Sequence, residues 1–212
     1  MKTTRTLALA AVLFPALSLT AVSAFAHPGH EATTVAGSFY AGLLHPLTGA
    51  DHLLAMASVG VWSALAARGS HGRQPGAMQL LRLPLAFVVL MLAGAALGLA
   101  GFTLPAVEPM IAASLLVIGL LVALRTQLPA AAGMAIVGGF ALFHGYAHGA
   151  ELPASASALP TVLAYVGGFA LATMGLHCAG IGVGGVLRRH AGWLARIAGA
   201  GVAMYGVGLL VA

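Results

Sequence analysis

Apolar runs near twenty residues long, punctuated by short polar clusters, fill this chain from residue 7 to residue 211. A run of that length crosses the ~30 Å hydrocarbon core of a bilayer as one α-helix, so the pattern predicts helices rather than strands. Five spans follow directly, at 83–101, 109–124, 129–148, 160–187 and 192–211. A further apolar stretch, 35–67, would be ~50 Å long as one helix at ~1.5 Å per residue, too long for one straight crossing. It is interrupted by His45-Pro46-Leu47-Thr48-Gly49-Ala50-Asp51-His52. Pro46 and Gly49 predict an unwound stretch there, with a short outer helix before it and the true span from about Asp51. The expected fold is all-α, a polytopic membrane bundle of six transmembrane helices whose first span is broken at this motif.

Ahead of the bundle, Lys2 and Arg5 precede an apolar stretch at 7–19, and Ala24-Phe25-Ala26 has the small-x-small form of a cleavage site. Residues 1–26 read as a cleaved signal peptide; the alternative is an uncleaved first helix. Residues 27–34 then form an external, histidine-containing arm, and 35–212 the six-helix transmembrane domain.

Composition agrees with a membrane assignment. Of 212 residues, 60% are hydrophobic and only 6% charged, too few charges to clothe a soluble surface. A net charge of +5 invites a nucleic-acid reading, but the arginines stand singly between apolar runs and form no phosphate-binding stripe. They act instead as topology signals. With the mature N-terminus outside, Arg68, Arg73, Arg82, Arg125, Arg188, Arg189 and Arg196 all fall on the cytoplasmic side. Glu31, Glu108 and Glu151 then fall outside. The expected setting is a bacterial inner membrane, with both mature termini periplasmic. The single cysteine, Cys178, excludes an internal disulfide and a cysteine zinc site, and reads as packing. Gly94…Gly98, Gly145…Gly149 and Gly180…Gly184 have the spacing that lets membrane helices approach closely.

Ionisable groups at membrane depth are costly, roughly 2.5–3.5 kcal/mol each on insertion scales, and mark function. Asp51 and His52 lie ~24–26 Å above Arg68, His144 lies ~23 Å beyond Pro129, and His177 lies ~16 Å from Arg188. Three helices thus bring imidazoles to the centre and outer half of one bundle. His144 and His148 share a helix face at i and i+4, and Glu151 extends it outward if the helix continues past Gly149. Nitrogen donors with some carboxylate oxygen suit nickel, cobalt, zinc or copper rather than magnesium or calcium, and do not rank nickel above zinc. Met56, one turn after His52, either adds a thioether or packs. If cleavage follows Ala26, His27 and His30 form either a weak external capture arm or a plain polar tail.

The His45-Pro46-x-x-Gly49-x-Asp51-His52, His144-Gly-x-x-His148-Gly-x-Glu151 and Ala172-Thr173-x-x-Leu176-His177 segments resemble the HupE/UreJ family of nickel permeases. So does the leader followed by a histidine-rich start, and the resemblance covers nearly the whole mature chain. It implies import of nickel, in some members cobalt, into cells that assemble hydrogenase or urease. It also implicates Glu108, as an acidic mouth, and Phe87. The metal-handling set is then His45, Asp51, His52, His144, His148, Glu151, His177 and Glu108, with Ni2+ or Co2+ as cargo and no permanently bound cofactor. The partners expected are the metal ion and the bilayer.

Two other function classes fit the sequence less well. A b-type cytochrome needs two histidines facing each other across a cofactor slot, and no Cys-x-x-Cys-His attachment motif is present. An intramembrane hydrolase wants Gly-x-Ser-Gly or His-Glu-x-x-His, and neither occurs. A Gly-x-x-x-x-Gly-Lys-Ser/Thr loop is also missing, which removes ATP hydrolysis by that route. A dication entering along a 100 mV potential gains ~4.6 kcal/mol, so the potential can suffice; the alternative is proton coupling, with the histidines carrying the protons.

Overall fold

Seven α-helices make up the described part of this computed structural model, which covers residues 34–67, 75–152 and 158–212. They are α1 (Val35–Thr48), α2 (Ala50–Ala66), α3 (Ala77–Leu99), α4 (Val107–Ala123), α5 (Ala130–Glu151), α6 (Leu159–His190) and α7 (Gly192–Val211). No strand occurs among the described residues. Four of the helices, α3, α5, α6 and α7, are long and apolar enough to cross a membrane, while α2 and α4 are shorter apolar helices. The signal-peptide segment, the 27–33 part of the arm with His27 and His30, and Arg68 and Arg73 lie outside the described residues.

The break in the first span is narrower than the sequence suggests. His45 and Pro46 stay inside α1, and the interruption is confined to Gly49, which is extended at φ −93° and ψ 121°. Helix α1 starts at Thr34, whose hydroxyl accepts from the Gly37 amide at 3.0 Å. It ends where the Thr48 hydroxyl donates back to the His45 carbonyl at 2.8 Å, meeting an acceptor that the turning chain leaves free.

A second proline also sits inside a helix. Helix α3 begins at Ala77, earlier than the expected 83, and runs through Pro84. Pro84 has no N–H for the Leu80 carbonyl, and the Ser63 hydroxyl of α2 supplies the missing donor at 2.6 Å. At the end of α4 the chain closes in a Schellman turn: Arg125 N–H donates to the Val122 carbonyl at 3.1 Å and Thr126 N–H to the Leu121 carbonyl at 3.0 Å. Arg125 itself is left-handed at φ 53°. The Thr126 carbonyl exposed by that turn accepts from the Trp62 indole at 2.9 Å.

Glycine decides which helices touch. Lipid gives helices little hydrophobic reason to associate, so close backbone approach and hydrogen bonds hold them together. A methyl on Gly94 would strike the Leu142 carbonyl, one on Gly145 the Met91 carbonyl, and one on Gly149 the Ala95 carbonyl. These contacts zip α3 along α5, and early residues meet early residues, so the two run parallel. Helix α6 packs on α1 through Gly42 and Gly168, then on α2 through Gly60, Gly180 and Gly184, again in parallel. Helices α4 and α7 meet through Gly119, Gly199 and Gly206 in antiparallel fashion. All three small-xxx-small pairs seen in the sequence therefore lie at interfaces. Cys178 does not pack inside; it is exposed.

One end of the bundle gathers cations. Arg188 donates to the Ala64 and Ala67 carbonyls at the end of α2, at 3.2 and 3.1 Å, a favourable place for a cation. Arg125 comes up against Gly192 at the start of α7. Asp51, Glu108 and Glu151 belong to the opposite end, near enough for Glu151 to feel the charge of both others.

Candidate functional site

Four helical faces converge on the kink, each carrying residues at i and i+4 that share one stripe. Helix α2 brings His52 and Met56, α3 brings Phe87 and Met91, α5 brings His144 and His148, and α6 brings Tyr165, Phe169, Thr173 and His177. His45 reaches in from the last turn of α1.

The outer part is an imidazole cluster on an acidic base. Asp51 sits in the first turn of α2, where the helix dipole favours a carboxylate. The His52 Nδ1–H donates to Asp51 Oδ1 at 3.0 Å. Gly49 makes this pairing possible, because a methyl there would lie 2.9 Å from Asp51 Oδ1 and 3.1 Å from His52 Nδ1. Across the bundle, His148 Nε2 stands 2.8 Å from His52 Nε2. The His45 ring lies 4.5 Å from His148 and 5.8 Å from His52, between ring centres. His144 lies one turn deeper, its ring 5.5 Å from His52. Side-chain exposure falls from 18% at Asp51 and 12% at His52 to a residue exposure of 0% at His144, so the cluster opens at one end and is dry at the other.

Tautomers follow from the partners. The His144 Nδ1–H donates to the Phe140 carbonyl at 3.0 Å, and the His177 Nδ1–H to the Met56 carbonyl at 2.7 Å. A carbonyl only accepts, so in neutral rings each Nε2 carries a bare lone pair. Both Nε2 atoms are buried and without a hydrogen-bond partner among the described residues. A ring locked through its other nitrogen to a carbonyl is the usual posture of a metal-binding histidine.

His177 stands apart from the other imidazoles. Phe87, 1% exposed, separates it from His144, with ring centres 4.9 Å from His177 and 5.8 Å from His144. Glu108 and Glu151 are exposed at the ends of α4 and α5, outside the imidazole cluster. Helix α5 does continue past Gly149 to Glu151. Among the described residues, no three His, Cys, Asp or Glu side chains are already set to hold one metal ion. A pocket of about 10 Å³ beside His148 has room for roughly one water.

Sequence reasoning missed the aromatic wall. Phe169 lies 4.4 Å from the His148 ring and 6.1 Å from His45, and Tyr165 lies 6.2 Å from His45. The signal was available, since Tyr165, Phe169, Thr173 and His177 recur every fourth residue.

Comparison with known proteins agrees with the motifs. The family model described as "HupE / UreJ protein" matches residues 15–209. The chain is 40% identical over 207 residues to "Protein HupE" of Rhizobium leguminosarum bv. viciae, covering 97% of this chain and 96% of that protein. No solved structure matches.

Proposed function

The chain belongs to the HupE/UreJ family, and from that premise we propose that it is a secondary transporter importing a divalent transition metal, nickel first and cobalt second. Its setting in this reading is a bacterial inner membrane, and its cargo supplies hydrogenase or urease assembly. It is a permease rather than an enzyme, and Ni2+ is substrate rather than resident cofactor.

The observation that carries the reading is the contact between Asp51, His52 and His148, with His45 and His144 around it. Carboxylate offsets the charge of a dication and imidazoles replace its water, and among the described residues no preset ligand cage would trap it. Conduction requires sites that bind enough to admit an ion and little enough to release it. The six-span arrangement is part of the same proposal. Its support is the parallel pairing of α1 and α2 with α6 and of α3 with α5, the antiparallel pairing of α4 with α7, and the cationic end opposite the acidic one. In that frame Glu108 and Glu151 form the periplasmic mouth, His27 and His30 the capture arm, and both mature termini lie outside.

The cytochrome reading has less support. His52 and His148 touch nitrogen to nitrogen, leaving no slot for a macrocycle between them. The deciding experiment is uptake of nickel into proteoliposomes under an imposed potential, with cobalt, zinc and magnesium as competitors. Potential-dependent nickel accumulation, suppressed by cobalt and not by magnesium, is expected. A tight vesicle that accumulates none of the transition metals would refute the transport reading.

A further inference from the structure

One turn inward of His52 on α2 and of Phe169 on α6 lies a group of side chains that the imidazole cluster does not use. Met56 and Met91 are 0% and 1% exposed, on α2 and α3, and Thr173 of α6 is 0% exposed. The Thr173 hydroxyl donates to Met56 Sδ at 3.3 Å and lies 3.8 Å from Met91 Sδ. A helical threonine more often returns its proton to a carbonyl one turn back. Here it faces two thioethers, which are weak acceptors, so two sulfurs from different helices converge on one oxygen. One turn along the same face is His177, whose Nδ1–H is fixed on the Met56 carbonyl. Its Nε2 is buried, without a partner among the described residues and, in the neutral ring, a bare lone pair.

We propose that Met56, Met91, Thr173 and His177 form a second cation site, one turn inward of His52 and His148, which takes a dehydrated soft or borderline cation through two thioethers and one imidazole nitrogen. The set differs in kind from the outer one. It contains no carboxylate, so it offers a dication no charge to offset its own and holds it loosely. Thioether donors favour soft ions over hard ones, so magnesium, calcium and manganese gain nothing there. Phe87, wedged between His144 and His177, separates those two imidazoles. The role of the site as a step on the route rests on the transport reading; its capacity to bind a cation does not.

Ag+ is the probe, because it prefers thioethers and needs no transport to be read. The protein is purified whole in detergent as the Cys178→Ser variant, since the exposed thiol would otherwise capture silver. Equilibrium binding and silver X-ray absorption are measured, with thermal melting to confirm folding. The expected result is one silver ion with two sulfur neighbours. Met56→Leu and Met91→Leu, close to Met in volume, should each remove one sulfur neighbour and weaken binding about tenfold. Their combination should remove the sulfur shell. Silver coordinated only by nitrogen, or a sulfur shell and affinity unchanged in the folded double variant, would overturn the site. Neither result depends on whether nickel is transported, so a failure here and a failure of the transport reading are separately visible.

Discussion

His52 Nε2 and His148 Nε2 lie 2.8 Å apart although 96 residues separate them in sequence. One nitrogen must donate and the other accept. The carboxylate of Asp51 takes the proton-bearing Nδ1–H of His52 at 3.0 Å, so neutral His52 offers a lone pair at Nε2 and His148 donates to it. The buried Nδ1 of His148 is then the bare nitrogen, and it has no partner among the described residues. A metal ion taking His52 Nε2 must displace the His148 N–H, which makes this contact a latch between α2 and α5.

The latch distinguishes two replacements of His148. Gln can still donate an N–H towards His52, whereas Ala leaves the part-buried His52 nitrogen without its donor. His148→Gln should keep the folded yield and raise the nickel concentration for half-maximal uptake roughly tenfold, or ~1.4 kcal/mol. His148→Ala should raise it similarly and also lower thermal stability by ~1–3 kcal/mol. Uptake kinetics and melting on both variants check this; equal melting would remove the latch.

Asp51→Asn tests charge apart from shape. The amide oxygen still accepts the His52 Nδ1–H, so the pairing that Gly49 accommodates survives. Only the negative charge goes. Even ~3 kcal/mol of lost attraction for a dication is roughly a hundredfold, so nickel uptake at limiting metal should fall by about that factor with normal folded protein. Uptake above half of the parent level would place the charge-compensating group elsewhere.

The glycine contacts give a stability test. A methyl at Gly60 would strike the His177 carbonyl, while one at Gly182 meets nothing within 4 Å. Gly60→Ala should cost ~1–3 kcal/mol as overpacking. Gly182→Ala should be neutral to slightly stabilising, since glycine within a helix costs roughly 0.5–1 kcal/mol relative to alanine. Melting of the detergent-purified variants should separate them; loss of similar size in both would mean that the interface is not where α2 meets α6.

The helices were legible because apolar length is a strong signal, and the expected spans match α3 to α7 within a few residues at most ends. Helix α3 starts before the expected 83 for a physical reason. Pro84 breaks a helix only if the freed Leu80 carbonyl stays unpaired, and Ser63, seventeen positions back on another helix, pairs it. Such a rescue is invisible to local spacing. Likewise Pro46 stays helical and Gly49 alone bends the chain. The imidazole cluster was foreseeable from depth and the i, i+4 spacing of His144 and His148. The convergence of Met56, Met91 and Thr173 depends on how three helices pack, and nothing in one helix announces it.

Topology has its own test. Reporter fusions after Ser70, Thr126 and His190 should report cytoplasm, and fusions after Thr103, Ser155 and Ala212 periplasm. Thr126 and His190 sit at the arginine-rich end, where Arg125 approaches Gly192, and must therefore agree with each other whatever the orientation. A split result for that pair would contradict the packing of α4 against α7 as well as the six-span proposal.

The order in which residues act is the sharpest consequence of the geometry. Glu151 is exposed at the end of α5, whereas His144, two turns deeper on the same helix, is fully buried with its Nε2 unpartnered. In the transport reading, a dication entering from the acidic end would meet Glu151 and Glu108 while still hydrated, then lose water to imidazole. Removing an outer charge lowers the local concentration of ions without altering the passage beyond it. Glu151→Gln should therefore raise the half-saturating nickel concentration several-fold and leave the maximal rate near normal. His144→Ala removes a donor where water is scarce, so it should reduce the maximal rate at least tenfold, or ~1.4 kcal/mol of lost stabilisation. Deleting residues 27–31, with His27 and His30, should matter only at scarce metal, because a flexible arm raises local concentration but cannot line the path. Uptake against free nickel for the three variants checks this, with folded protein quantified in each. Equal loss of maximal rate in all three would refute an ordered path and leave one shared site in its place.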